Sequence, residues 1–305
     1  MRATLLVVAA LAAVASGCGS SNSSEHGAPP AGTLDALLRR QGQDVSAVPG
    51  TSDYAPGKVR LSFLVVRHDG RPVDRPRATV WLAKGLRATP FEKATAQLEP
   101  VGVPGVTEGD EADVKALYVV HLKVPRPGRY WYVAEPSGAS PPTQAVGTLD
   151  VKRASDSPAL GSRAISSRTP TLADVHGDAA MLTTRVPPDR ALLRYSVADS
   201  LAAHVPFVLV FATPRWCTSR TCGPVVDVVD AVRRRFAGRG IRFIHVEIYA
   251  DNNPQKGFNR WVRQWHLPTE PWIFLVGRDG RIAAKFEGSV SVGELAAAVE
   301  RDLVR

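Results

Sequence analysis

One stretch, residues 206–230, constrains the fold more than any other part of the chain. It opens with an unbroken apolar run, Phe207–Phe211, and such a run predicts a strand that is buried on both faces. Apolar residues then recur at helical spacing from position 225 to position 236, which predicts an amphipathic helix packed on the sheet. Cys217 and Cys222 lie between these two elements. The positive end of a helix favours the thiolate, which is the nucleophilic and metal-binding form of cysteine.

The length and the charge of the chain narrow its organisation and its partners. With 305 residues, the chain is long enough for two domains. The net charge of +9 comes mostly from arginine, and the densest basic run, residues 233–235, falls late in the predicted helix. At that position we expect it to form a solvated face that complements the carboxyl end of the helix. The sequence therefore predicts no nucleic-acid partner.

The amino terminus has the pattern of a secretory signal. Residues 1–17 combine a positively charged start, a short apolar core and small residues, and Cys18 follows them. Residues 15–18, Ala-Ser-Gly-Cys, resemble the bacterial lipobox. This resemblance implies a lipoprotein signal peptide, lipidation of Cys18 and a lipid anchor on the extracytoplasmic face of the cell membrane; the alternative is an ordinary cleaved signal with a free Cys18. If Cys18 is lipidated, Cys217 and Cys222 remain as one pair in an oxidising compartment, where a disulfide bond persists.

Changes of pattern divide the rest of the chain into four segments. Residues 18–53 are predicted to be a flexible tether that includes a short helix. In residues 54–151, short alternating strands and Gly or Pro turns predict an all-β antiparallel sandwich that resembles immunoglobulin-like domains. Residues 152–168 lack periodicity and are predicted to be a linker. Residues 169–305 are predicted to be an α/β domain, in which the order from Phe207 onward is β-α-β-α-β-β-α.

This order of elements, with a cysteine pair after the first core strand, resembles the thioredoxin-like superfamily. Residues 211–217 look like the strand end and Trp-Cys motif of membrane-tethered thiol-disulfide oxidoreductases. Residues 269–271, Thr-Glu-Pro, look like the loop that holds the cis-proline of the family. The resemblance implies a thioredoxin-like fold for the α/β domain. It also implies that Trp216, Glu270 and Pro271 shape a groove for a peptide.

The spacing of the cysteines departs from that family. Four residues separate Cys217 from Cys222, where the family usually has two. Residues five apart on a regular helix lie about 140° apart around its axis, too far for a disulfide bond, so we expect Cys217 in a loop and Cys222 at or just before the helix start. In one register Cys217 is the exposed nucleophile and Cys222 resolves the mixed disulfide; in the other, residues 222–225 overlay the Cys-Gly-Pro-Cys segment of the family. The first register is preferred, because Trp216 directly precedes Cys217.

Three functions are compatible with this pattern. The first is a thiol-disulfide oxidoreductase that acts on protein thiols or disulfides, with Cys217 and Cys222 as its catalytic pair and no cofactor. The second is a copper-binding or metallochaperone module, in which Cys217, Cys222 and His266 hold the metal. The third is a redox-inert, tethered interaction protein with a structural disulfide. The motif favours the first function, and it leaves open whether the pair is catalytic.

Overall fold

The computed structural model describes most of the chain, namely residues 30–39, 42, 44–105, 114–216 and 224–304. The predicted signal peptide, Cys18, Cys217 and Cys222 lie outside the described residues. Two units follow one another along the chain, an all-β unit that ends at Val151 and a mixed α/β unit that contains the Phe207–Phe211 strand.

The first unit is built on one antiparallel sheet of seven strands. A short helix, α1 (Leu34–Leu38), precedes the sheet, as the sequence predicts, and the Thr33 side chain caps it. The strands are β1 (Val45–Pro49), β2 (Gly57–Arg67), β3 (Arg77–Ala83), β4 (Glu92–Pro100), β5 (Ala116–Val124), β6 (Gly128–Pro136) and β7 (Ala145–Val151). Hydrogen bonds join them in the order β1–β2–β5–β4–β3–β6–β7.

This sheet folds over on itself, and β4 takes part in both halves. Strand β4 pairs with β3 up to Gln97 and with β5 from Gln97 onward. Phe63 on β2 and Tyr132 on β6 have ring centroids 5.5 Å apart, although three strands separate β2 from β6 in the sheet order. The apolar residues of the two halves therefore share one core. The all-β character is as predicted, but the immunoglobulin-like sandwich is not confirmed, since hydrogen bonds join all seven strands.

Two of these strands were not expected from the sequence. Strand β1 lies within the segment that the composition predicts to be a flexible tether, and it pairs with β2 from Val45–Arg67 to Pro49–Phe63. In β1 and β4, most side chains are exposed or only half buried. Such strands contain few apolar residues that could alternate, so the period-two signal is weak.

The second unit has a mixed sheet of four strands covered by helices. Its elements are α2 (Val197–Ala202), β8 (Phe207–Phe211), α3 (Val225–Arg235), β9 (Arg242–Val246), α4 (Arg260–Gln264), β10 (Trp272–Val276), β11 (Ile282–Glu287) and α5 (Val292–Leu303). The strand order is β11–β10–β8–β9, in which β8 and β9 are parallel and the other pairs antiparallel. The predicted order β-α-β-α-β-β-α is confirmed from β8 onward.

Alternate residues of the central strands enter two apolar cores on opposite faces of this sheet. Val208 and Val210 of β8 pack on one face with α3 and α5. Leu209 and Phe211 pack on the other face, where the Phe211 and Trp265 rings are 5.5 Å apart. Because both faces are covered, β8 is apolar along its whole length, and this is why the sequence predicts it clearly.

Side-chain caps fix where three of the helices begin. Ser196 Oγ accepts a hydrogen bond from Asp199 N (3.0 Å), and Ser291 Oγ accepts one from Glu294 N (3.0 Å). Serine is one of the residues that favour this capping position. The side chain of Asn259 caps α4 in the same way.

The segment predicted as a linker, residues 152–168, runs along the second unit. Ala164 N donates to Gly280 O (2.9 Å), and Ile282 N donates to Ser162 O (2.9 Å). Ala164 is buried in the core beneath. The connection between the units is therefore packed against the β10–β11 hairpin.

Candidate functional site

The loop that resembles a cis-proline loop lies at one end of the central strands. The Glu270–Pro271 peptide bond is cis, as the resemblance implies. Strand β10 begins directly afterwards at Trp272, which pairs with Phe211, the last residue of β8. The chain leaves β8 at this end of the sheet and runs toward Cys217. The cis-proline loop therefore adjoins the strand end that precedes the cysteine pair in sequence.

Trp216, which directly precedes Cys217, is anchored by its neighbours. Its indole Nε1 donates to Asn252 O (3.0 Å). The Arg215 guanidinium lies over the same ring, 4.8 Å from the centroid, and Arg215 N donates to Thr184 Oγ1 (3.1 Å). These contacts fix the backbone and the side chain at the approach to the cysteine pair.

A buried carboxylate, Glu247, organises this region, and sequence reasoning missed it. Glu247 is 5% exposed and accepts hydrogen bonds from Thr184 N and Thr184 Oγ1, both at 2.9 Å. Because Thr184 Oγ1 also accepts from Arg215 N, two hydrogen bonds link Glu247 to the segment that leads to Trp216. The available signal was a single carboxylate within the otherwise largely apolar run 241–249.

Glu270 is a second carboxylate in this region, and its environment is unusual. The side chain is half buried, and its buried Oε2 has no hydrogen-bond partner among the residues that the structure describes. Burial, together with the nearby negative charge of Glu247, raises the pKa of Glu270 to about 7. Near neutral pH, this residue can therefore hold or release a proton, which an ordinary surface glutamate does not do.

His245 and His266 of the second unit have different environments. His245 is buried, and its Nε2–H donates to Ala212 O (3.1 Å). Burial lowers the pKa of His245, so the neutral ring is favoured. His266, the histidine of the copper hypothesis, is exposed after the end of α4. Within the part of the chain that the structure describes, no three His, Cys, Asp or Glu side chains are grouped so that they could hold a metal ion.

A cleft of about 420 Å³ opens between the two units beside the cis-proline loop. The second unit contributes residues 269–271 and the end of β11, Glu287 with Gly288. The first unit contributes a largely apolar wall that includes Val48, Pro49, Phe63, Leu64, Val114 and Leu117. Sequence reasoning did not anticipate this cleft, because its two sides are more than 150 residues apart in the chain.

Glu287 joins the cis-proline loop to the first unit. Its carboxylate accepts hydrogen bonds from Thr269 Oγ1 (2.9 Å) and from Ser52 Oγ (2.7 Å). It also accepts from the backbone N–H groups of Ser52 and Asp53, both at 2.8 Å. The Glu287 side chain therefore fixes the position of one side of the cleft relative to the other.

Arg60 forms a second link at the same interface. Its Nε and Nη2 donate to the two carboxylate oxygens of Glu294 at 2.6 and 2.8 Å, and both side chains are largely buried. Arg60 Nη2 also donates to Ser289 O (2.8 Å). A buried bidentate pair of this kind fixes the distance and the orientation of the two units.

The backbones of the two units also approach closely at Gly288. Gly288 N donates to Pro271 O (2.9 Å), and its φ is +72°. A Cβ atom at this position would lie 2.4 Å from Gly50 O in the first unit. Only glycine fits here, since a side chain would meet both a strained backbone conformation and a backbone oxygen.

None of the helices that the structure describes is long and apolar enough to cross a membrane.

No protein-family model matches this chain, and no curated protein matches it. Among solved structures, it is similar to a thioredoxin-family thiol:disulfide interchange protein from Chlorobium tepidum TLS. That alignment covers 46% of this chain and 99% of the other chain, with 16% sequence identity and a TM-score of 0.29. A TM-score this low carries no weight for the chemistry of the site.

Proposed function

We propose that this protein is an extracytoplasmic thiol-disulfide oxidoreductase, held at the cell membrane through a lipidated Cys18. Cys217 and Cys222 are its redox pair, and its partners are protein thiols or disulfides. Trp216, Glu270 and Pro271 shape the groove in which the partner lies.

The pairing of Trp272 with Phe211 is the observation that supports this proposal best. It brings the cis Glu270–Pro271 bond beside the end of β8, from which the chain continues to Cys217. A thiol that reacts with a protein disulfide needs an accessible position and a neighbouring surface that holds the partner backbone. The cis-proline loop and the adjoining cleft provide such a surface.

In the exchange, the Cys217 thiolate attacks one sulfur of a disulfide in the partner protein. The S–S bond of the partner breaks, a mixed disulfide forms, and the second sulfur of the partner leaves as a thiolate. The Cys222 thiolate then attacks the sulfur of Cys217, which releases the reduced partner and leaves Cys217 and Cys222 joined. Two electrons pass to the partner, and the two protons of the cysteine pair end on the thiols of the partner. The reverse steps oxidise a partner dithiol.

The proposal is tested by equilibrating the full chain with mixtures of reduced and oxidised glutathione. Free thiols are then alkylated with a mass tag and counted by mass spectrometry. We expect Cys217 and Cys222 to pass from dithiol to disulfide in one two-electron transition, within the range of roughly −270 to −120 mV that thiol-disulfide oxidoreductases cover. Cys217→Ser should abolish reduction of a disulfide substrate, and Cys222→Ser should accumulate the mixed disulfide.

Cys18→Ser is the matched control for the redox pair. It should leave the redox transition unchanged and release the protein from the membrane fraction. A disulfide that resists excess dithiothreitol in the native protein would contradict the proposal and support a structural bond. Full activity of Cys217→Ser would show that Cys217 is not the attacking thiol.

A further inference from the structure

The cleft between the units differs in charge from the rest of the chain. The net charge is +9, yet the charged residues among its described lining are both acidic, Glu270 and Glu287. Within the described residues, Glu287 accepts four hydrogen bonds, whereas Oε2 of Glu270 accepts none. The Glu270 side chain is half buried and lines the cleft, so a cationic group that enters the cleft can pair with its carboxylate.

The side of the cleft that belongs to the first unit is largely apolar. Val48 on strand β1 is 44% exposed, Leu64 is half buried, and Phe63 and Leu117 lie buried behind them. An exposed valine beside buried aliphatic and aromatic groups suits an aliphatic side chain of a ligand. The hydrogen bonds from Ser52 and Thr269 to Glu287 hold this wall beside the cis-proline loop.

We propose that the cleft binds an extended segment of a partner polypeptide, which presents a Lys or Arg side chain to Glu270 and an aliphatic side chain to the wall of the first unit. The inference rests on the proposed function in one respect, because this segment would be the one that carries the reacting thiol or disulfide. In an extended segment, side chains two positions apart lie on the same face, roughly 7 Å from each other. The test peptides therefore hold the cationic and the aliphatic side chain two positions apart.

The test uses cysteine-free, fluorescein-labelled, acetylated hexapeptides and the full chain at pH 8 and low ionic strength. One peptide holds Leu and Lys two positions apart, and its relatives replace Lys with Gln or Glu, or Leu with Gly. Binding is measured by fluorescence anisotropy. A hydrogen bond to a charged group should make the Leu-Lys peptide bind about tenfold more tightly than the Leu-Gln peptide, and the Leu-Glu peptide should bind most weakly.

Two variants identify the two halves of the site. Glu270→Gln should remove the preference for Lys over Gln without weakening the Leu-Gln peptide. Val48→Ser should weaken every peptide that holds Leu about fivefold, because it removes apolar contact area, and leave the Gly peptide unchanged. Glu300→Gln on α5 is the matched control, since it makes the same change of charge at an exposed position outside the cleft. Thermal unfolding of each variant checks that the fold is retained.

Four outcomes would overturn the inference. Equal binding of the Lys and Glu peptides, or an unchanged preference in Glu270→Gln, would show that Glu270 is not a cation subsite. Equal binding of the Leu peptide to the wild type and to Val48→Ser would show that the first unit is not a wall of the site. Self-association of the wild-type chain that Val48→Ser abolishes would identify a second copy of this protein as the occupant.

The redox experiment and the binding experiment test the proposed function and the cleft independently. Disulfide exchange without any dependence of peptide affinity on Glu270 or Val48 would refute the inference and leave the proposed function intact. Peptide binding of the expected pattern with a redox-inert cysteine pair would support the cleft and refute the oxidoreductase.

Discussion

Replacement of Gly288 with alanine tests whether the two units are held rigidly against each other. The residue has a φ of +72°, and adopting that conformation with a side chain costs about 1 kcal/mol. The new Cβ would lie 2.4 Å from Gly50 O, and real contacts of this type stay beyond 3.0 Å, so the units must separate locally by about 0.6 Å. Forced overpacking of this kind costs about 2 kcal/mol. We therefore expect Gly288→Ala to lower the free energy of unfolding by about 3 kcal/mol.

Gly238→Ala is the matched control for this prediction. Gly238 has a φ of +80°, but an added Cβ would meet no heavy atom within 4 Å, so only the backbone term of about 1 kcal/mol remains. Urea unfolding followed by tryptophan fluorescence and by far-ultraviolet circular dichroism measures both variants. Equal losses in Gly288→Ala and Gly238→Ala would refute the close contact between Gly288 and the first unit. A larger loss in Gly288→Ala, together with weaker peptide binding, would tie that contact to the cleft.

Arg60→Ala should lower the free energy of unfolding by about 3 kcal/mol, because it leaves the Glu294 carboxylate buried without its partner. The exposed Arg129–Asp150 pair is the control, and Arg129→Ala should have no measurable effect in the same urea titration. Glu270 makes stability depend on pH, because its pKa of about 7 lies above the ordinary value of 4.5. Between these two pH values, the folded protein keeps a proton that the unfolded chain releases. The free energy of unfolding therefore falls as the pH rises from 4.5 to 7. Without solvent screening, the free energy of unfolding would fall by about 3 kcal/mol over this range. Screening of the half-buried side chain reduces the expected fall to about 1–2 kcal/mol. Urea titrations between pH 5 and pH 8 should show this fall in the wild type and not in Glu270→Gln, and an identical pH dependence in both proteins would contradict the assignment.

The parts of the fold that depend on local sequence could be predicted. The apolar strand β8, the order of the elements after it, and the caps at Ser196 and Ser291 follow from neighbouring residues alone. The cis-proline at Pro271 was expected from the resemblance of a three-residue loop. These features are encoded within windows of about ten residues, so the chain pattern contains enough information to place them.

The parts that depend on distant contacts could not be predicted. Strand β1 has a largely exposed pattern and becomes a strand because it pairs with β2. Arg60 and Glu294 look like ordinary surface residues in sequence, and only the fold brings them together across 234 positions. Ser291 and Glu294 have the spacing of a capping box, in which the Glu side chain bonds to the start of its own helix, but in the structure this carboxylate binds Arg60.

The chemistry of Glu270 shows why the same limit applies to the site. Its position before Pro271 was visible in the sequence, but its pKa is set by burial and by Glu247 on a different segment of the chain. The loop that carries Glu270 is in turn held through Thr269 to Glu287, which binds the first unit. A change in the first unit can therefore alter the position of a proton-binding group beside the cis-proline. It follows that the all-β unit is a structural part of the candidate site. A truncated second unit would lose the hydrogen bonds from Ser52 and Asp53 to Glu287 together with one wall of the cleft.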